Sequence, residues 1–218
     1  MTMPFQWLGT QPYEAMWERL KHRAGLLALG QKDELIWACE HEPVYTTGKR
    51  AIDNSQTQSL GNIAHGNASN IALPAPFIVT DRGGETTFHG TGQIMLYPII
   101  HLRKRALSVR NYIHILEQSA IQTLAQYGIV AERRCSLPGV WTNEGKIVAL
   151  GIRISQGVAY HGMAMNISVD MKYFDAIKPC GLERKAVNMH DIQSETPPMY
   201  QLAQAWAEQL DSLLNSAG

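Results

Sequence analysis

Three stretches of the chain bring together side chains that can do chemistry. Between Arg82 and Gln93 the sequence Arg-Gly-Gly-Glu-Thr-Thr-Phe-His-Gly-Thr-Gly-Gln packs four glycines around an arginine, a histidine and threonines. Glycine admits positive φ and close backbone approach, so such a stretch can wrap a ligand with N–H groups while Arg82 and His89 add side-chain donors. An ordinary turn has a similar glycine content; the added Arg, Thr and His favour a site. It is not a phosphate loop, because Gly48-Lys49 and Gly145-Lys146 lack the upstream glycine and the following Ser/Thr of that motif. The second stretch is Lys178-Pro179-Cys180-Gly181-Leu182. A cysteine between proline and glycine belongs to a turn that a substrate can reach, and its thiolate is a nucleophile. The third is Lys146. On a regular strand over 146–154 it shares a face with Val148, Leu150, Ile152 and Ile154, and a charge at the mouth of an apolar face is unusual. A lysine snorkelling from a strand end accounts for the same pattern.

The other face of that strand carries Ile147, Ala149, Gly151 and Arg153, and on the next strand Gly162 and Ala164 share a face flanked by Tyr160 and Asn166. Small residues on neighbouring strands leave a trough that admits an alkyl chain or lets a helix pack closely, and spacing does not choose between them. Of the remaining cysteines, Cys39 sits in the apolar run 35–39 and reads as a small buried hydrophobe. Cys135 follows Arg133-Arg134 and reads as structural, a thiolate beside two cations being the other reading. The eight histidines are scattered, so no metal site is expected, and His161 reads as an oriented polar residue.

The elements that must position these groups follow from periodicity. Tyr13, Met16, Trp17 and Leu20 recur at helical spacing, which predicts a helix towards Leu29. Short strands are predicted over 35–39, 44–47, 77–80 (buried) and 94–97. Ser108 is the expected N-cap of a helix with Val109, Tyr112, Ile113, Leu116, Ala120 and Leu124 on its stripe and Gly128 beyond its end. A meander follows, with strands at Val140–Thr142, Lys146–Ile154 and Val158–Val169 and turns at Asn143–Gly145 and Gln156-Gly157. A last helix begins after Thr196-Pro197-Pro198. Residues 51–76, rich in Asn, Ser, Gln and Gly, read as a mobile loop. The expected architecture is α/β (α+β), a single domain over 1–218 with a mixed sheet flanked by helices.

Nineteen Lys and Arg balance nineteen Asp and Glu in 218 residues, and 17% of residues are charged, below the roughly 25% of ordinary soluble domains. That balance argues against disorder and against nucleic-acid binding by bulk charge. It conceals local basic clusters at Arg103, Lys104 and Arg105, at Arg110, and at Arg133 and Arg134. Three cysteines without a C-x-x-C pair, no apolar stretch of signal-peptide type and no run of about 18 apolar residues lead to the expectation of a cytoplasmic protein that is not held in a membrane.

Arg82-Gly83-Gly84, Thr87-Phe88-His89-Gly90-x-Gly-Gln, Pro138-Gly139-Val140-Trp141, Gly145-Lys146-Ile147-Val148-Ala149-Leu150-Gly151, His161-Gly162-Met163-Ala164-Met165-Asn166 and Pro179-Cys180-Gly181 resemble, in order and spacing, the lipoyl(octanoyl) transferase family. The resemblance runs from about Pro43 through the Cys180 segment. It departs at Thr91, where the family commonly has proline, an exchange expected to loosen the turn. The resemblance implies the biotin/lipoate protein ligase-like fold and a cytoplasmic acyltransferase, without cofactor or metal. That enzyme moves octanoyl from acyl carrier protein to a lysine of the lipoyl domains of 2-oxoacid dehydrogenase complexes and of the glycine cleavage H protein. It implies Cys180 as the acyl-thioester nucleophile and Lys146 as its activator. The substrate site it implies is lined by Arg82, Gly83, Gly84, Glu85, Thr86, Thr87, Phe88 and His89, by Ala149, Leu150 and Gly151, and by Gly162, Met163 and Ala164. The protein is expected to act as a monomer. An ATP-dependent lipoate or biotin ligase and a non-catalytic carrier-binding module are the rival readings.

Overall fold

The structure is a computed structural model that describes residues 2–48, 73–177 and 185–217. From the amino end run β1 (Phe5–Gln11), α1 (Tyr13–Ala28), β2 (Leu35–His41), β3 (Val44–Thr47), β4 (Phe77–Val79), β5 (Thr87–His89) and β6 (Gln93–His101). Then come α2 (Val109–Gln126), β7 (Glu132–Arg134), β8 (Leu137–Trp141), β9 (Lys146–Ser155), β10 (Val158–Asn166), α3 (Lys172–Asp175), α4 (Met189–Ile192) and α5 (Met199–Ser216). Seven strands form one mixed sheet in the order β1-β2-β6-β10-β9-β8-β7, in which only β1 and β2 run parallel. A smaller sheet, β4-β3-β5, closes one end.

Strand alternation splits the large sheet into two buried faces. Ile36 and Ala38 of β2, Ile94 and Leu96 of β6, and Met163 and Met165 of β10 face α2 and α5, where Leu116, Leu124, Trp206 and Leu210 complete the main core. The residues between them, Leu35 and Cys39, Met95 and Tyr97, Ala164, face α1 and its Met16, Leu20 and Leu27. The helix ends follow the sequence: the Ser108 hydroxyl accepts the Asn111 N–H at 3.1 Å, and Gly128 leaves α2 with φ +75°.

Three features differ from the sequence expectation. β1 is an added edge strand whose mixed, half-buried composition hides its period. Phe77–Val79, expected to be buried, is an edge strand of the small sheet with Val79 42% exposed. Cys135 is exposed at the β7–β8 turn and is not a packing residue, whereas Cys39 is buried as expected. Of the expected loop over 51–76, residues 51–72 lie outside the described residues.

The turn that carries Thr91 is held from outside. The Gln93 N–H reaches Gly90 O at 3.2 Å and Gly92 has φ +83°, as in a type II turn. Gly92 N–H donates to the Glu40 carboxylate at 2.8 Å, and Gly92 O accepts from Ile167 and Ser168. These tethers replace the restraint of a proline ring at position 91.

Candidate active site

β9, β10, the 81–87 connection and the β8 hairpin enclose a cavity of about 880 Å³. Lys146 stands in its wall. The register of β8 on β9 jumps from Val140↔Val148 to Trp141↔Lys146, so two residues of β9 oppose one of β8 and strict alternation breaks there. Ile147 and Val148 are both buried in the main core, and Lys146 is freed from the apolar face expected for it. Its ammonium donates to Pro138 O at 2.7 Å and lies 4.9 Å from the Trp141 ring centre. Gly139, with φ +116°, makes room: a Cβ there would stand 3.0 Å from Lys146 Cε and 2.4 Å from Val148 O. Lys146 N–H donates to Lys185 O at 2.8 Å and Val187 N–H to Lys146 O at 3.1 Å, so the chain after the Cys180 segment runs alongside Lys146.

The opposite wall holds a buried guanidinium. Arg82 donates through NH2 to Thr46 O (2.7 Å), Thr46 Oγ1 (2.9 Å) and Glu85 O (2.8 Å), through Nε to Thr46 Oγ1, and through NH1 to Gly83 O. Among the described residues no carboxylate pairs with it within 4.0 Å. Burial lowers its pKa, but a guanidinium keeps its proton. Neutral oxygens therefore solvate the charge, which keeps its positive potential towards the cavity.

Beside it, Asp81 gathers donors from distant parts of the chain: Trp17 Nε1 at 2.8 Å, His161 Nε2 at 2.9 Å and the Tyr160 hydroxyl, with Arg153 at 4.0 Å. Burial alone would raise its pKa, but the hydrogen bonds from His161, Tyr160 and Trp17 hold the carboxyl well below the usual range. Consecutive strand residues point to opposite faces, yet Tyr160 and His161 both reach Asp81. His161 achieves this with φ +59°. The ladder between β10 and β6 is interrupted here, opposite Pro98, which has no N–H to lose. Burial lowers the pKa of His161 despite Asp81, so the neutral ring gives its Nε2–H to the carboxylate.

A third network fixes His89. Its Nδ1 meets Gln93 Oε1 at 2.8 Å, Gln93 Nε2 donates to Asn166 Oδ1 at 2.8 Å, and Asn166 Nδ2 donates to Val187 O. Tyr13 stacks on the His89 ring at 5.6 Å, and His41, bonded to Tyr97 OH at 2.7 Å, packs edge-on against both. Burial lowers the pKa of His89 well below normal and that of His41 to about 4.

These shifts make a pH prediction. Unfolded histidines titrate near 6.5, so below that pH the unfolded chain takes up protons that folded His41, His89 and His161 refuse. Stability is whole above about pH 6.5 and falls as pH drops, by up to about 1.4 kcal/mol per pH unit for each histidine in that window. The melting temperature is expected to be clearly lower at about pH 5 than at about pH 7.5, with His41→Gln flattening the slope. A melting temperature that holds or rises on acidification shows these rings charged in the native state.

Of the residues expected to line a substrate site, Arg82 to Thr87 and His89 border the cavity. Phe88 does not. On β5, Thr87 and His89 share one face and Phe88 takes the other, where it stacks on Tyr173 at 4.2 Å and packs with Tyr45. Ala149, Leu150, Gly151, Gly162, Met163 and Ala164 also line it, with Gly162 directly opposite Gly151 and Ala164 opposite Ala149. The trough between them is partly filled by the protein itself. A Cβ on Gly151 would lie 2.8 Å from Gly83 O, and one on Gly162 would lie 2.0 Å from Leu96 O. The glycines admit backbone; of the other four, Ala149 and Ala164 border the cavity on the α1 side of the sheet and Leu150 and Met163 on the α2 side. Cys180 lies outside the described residues, but Ile177 before it and Ala186 after it both border the cavity.

Sequence reasoning missed Asp81 and Tyr13 as cavity-wall residues, because each is defined by partners dozens of positions away. The only local signal was Asp81 at the exit of a strand into Arg-Gly-Gly. No helix among the described residues is long and apolar enough to cross a membrane.

Residues 17–211 match the lipoyl protein ligase A/B catalytic domain model. The chain is 35% identical over 198 residues to the octanoyltransferase of Cellvibrio japonicus, covering 89% of this chain and 85% of that protein. Its fold resembles a bipartite lipoate protein ligase of Thermoplasma acidophilum (TM-score 0.71, 13% identity, 99% of this chain and 84% of that one). It also resembles the biotin protein ligase of Aquifex aeolicus solved with biotin and ATP (TM-score 0.60, 12% identity, 98% and 71%). A match over almost the whole chain, in a fold that sets Lys146 of β9 and Arg82 of the 81–87 connection around one cavity, places the protein in the lipoyl protein ligase A/B catalytic-domain family.

Proposed function

We propose that the protein is an octanoyltransferase that carries octanoyl from an acyl carrier protein to a lysine of a lipoyl domain through a thioester on Cys180. The observation that carries this reading is the placing of Lys146: a lysine ammonium in the cavity wall, hydrogen-bonded through its own backbone to the segment that follows Cys180.

A free thiol has a pKa near 8.5, so only about a few per cent is ionised at pH 7. Positive charge from Lys146, with Arg82 across the cavity, favours the thiolate. The Cys180 sulfur attacks the donor thioester carbonyl; the C–S bond to the carrier's arm breaks, and the departing thiolate takes a proton relayed by Lys146. The acceptor lysine, as the free amine, then attacks the octanoyl-enzyme, loses a proton to Lys146 and releases the Cys180 thiolate. The first step exchanges one thioester for another and the second converts a thioester into a more stable amide, so neither needs ATP. Backbone N–H groups of the glycine-rich turn and the Arg82 potential stabilise the tetrahedral oxyanion. Octanoyl burial against the small residues Ala149 and Ala164, paired on one face of the sheet, at about 0.8 kcal/mol per CH₂, contributes several kcal/mol to binding. The setting is a reducing cytoplasm.

The test is incubation with octanoyl carrier protein in the absence of ATP. A hydroxylamine-sensitive octanoyl adduct is expected on the wild-type protein and none on Cys180→Ala. An adduct that persists in Cys180→Ala places the nucleophile elsewhere, and a protein that is acylated only with ATP is a ligase.

A further inference from the structure

A groove of about 310 Å³ adjoins the cavity and shares two residues of its rim, Ser136 and Pro138. One side is α2, where Arg110, His114 and Glu117 stand at helical spacing; the other is the end of β7, with Arg133 and Arg134, and the turn that follows it. Its carboxylate, Glu117, is buried and turned into the hairpin, where it accepts the Gly139 N–H at 2.9 Å. Three guanidinium groups against one occupied carboxylate leave the groove cationic in a chain whose net charge is zero.

The arginines are not equivalent. Arg134 is spent on structure: its guanidinium lies 5.1 Å from the Trp141 ring centre, bonds Thr142 O and pairs with Glu132. Arg133 is exposed and held over α2 by a 2.8 Å bond to Gln118, which leaves donors to spare. Arg110 is exposed and makes no ion pair among the described residues. Arg105, by contrast, is tied to Glu34 at 2.7 Å and takes no part in the groove.

The Lys146 ammonium and the Arg134 guanidinium both lie over the same Trp141 ring, so the reacting end of the cavity and the groove are joined through one side chain. A donor whose thioester sits at Lys146 therefore has its arm leaving past Pro138 into the groove. We infer that Arg110 and Arg133 form a subsite for the phosphodiester of the donor's phosphopantetheine arm. This rests on the proposed use of a carrier thioester and deepens it. Guanidinium suits this ligand, because its planar donors match phosphate oxygens two at a time.

Two small donors isolate the interaction: octanoyl-phosphopantetheine and octanoyl-pantetheine, which differ only in the phosphate. Charge-assisted hydrogen bonds should make kcat/KM for acylation about tenfold or more higher with the phosphorylated donor. In Arg110→Gln and Arg133→Gln that ratio should fall towards one, while acylation by octanoyl-pantetheine stays at the wild-type rate and shows the fold intact. An unchanged ratio in both variants, or a wild-type protein that does not discriminate, overturns the subsite and leaves the octanoyltransferase reading standing. Variants that weaken the reaction with whole carrier protein but keep the small-donor ratio also overturn it, and assign the groove to acidic side chains of the carrier. If neither donor acylates the protein, the thioester reading fails and the subsite with it.

Discussion

Lys146→Ala is expected to slow octanoyl transfer by about 10²–10⁴-fold, the range that one positioned proton carrier supplies. The ammonium donates to Pro138 O at the edge of the cavity, outside the main core, so the melting temperature should move far less than the rate. Two roles are bundled in that loss and can be separated. Lys146→Arg keeps the charge but cannot release a proton, since guanidinium stays protonated at every working pH. Alkylation of Cys180 by iodoacetamide near pH 7 reads the thiolate fraction: it should slow in Lys146→Ala and persist in Lys146→Arg, while turnover fails in both. Cys180→Ala should leave no transfer above background, and adding Lys146→Ala to it should lower nothing further, because groups that act as a unit are not additive. A Lys146→Ala protein with unchanged rate and pH dependence removes the lysine from the mechanism.

That test concerns two residues 34 positions apart in sequence, and it shows what local pattern can and cannot reveal. The helices were legible because their apolar stripes, the Ser108 cap and the Gly128 stop are local statements. The hairpins from β8 to β10 were legible for the same reason, since Asn143–Gly145 and Gln156-Gly157 are turn-forming residues between alternating runs. The small residues at 149, 151, 162 and 164 announced a close approach, but not what approaches; the structure answers with Gly83 O and Leu96 O. Lys146 was misplaced on its strand because a bulge depends on the partner strand and not on the sequence of β9 alone. Phe88 was assigned to the cavity because a motif marks a whole segment, whereas β5 turns alternate side chains away. The Asp81 cluster was invisible: its donors come from α1 and β10, 64 to 80 positions distant. Electrostatics at the site is thus a tertiary property, and sequence supplied only its components.

Gly162→Ala is expected to be among the most damaging single-methyl changes in the protein, with a stability loss of about 3 kcal/mol or more. The added Cβ would lie 2.0 Å from Leu96 O and 2.9 Å from Pro98 Cδ, both on the neighbouring strand β6. Relief cannot come from a rotamer, because the first of these is backbone in the buried middle of the large sheet, between β2 and β10. Moving β10 away would disturb its pairing with β6 and β9 and draw His161 off Asp81, so activity should fall along with the melting temperature. Gly83→Ala is the matched comparison. Its Cβ would meet Ile152 O at 3.3 Å, a contact that yields with a shift of a few tenths of an ångström, and a loss near 1 kcal/mol is expected there. Chemical denaturation of the two variants checks the ranking through their midpoints at equal m-value. If Gly162→Ala costs no more than Gly83→Ala, β10 and β6 yield at Gly162 and the close approach there does not limit stability.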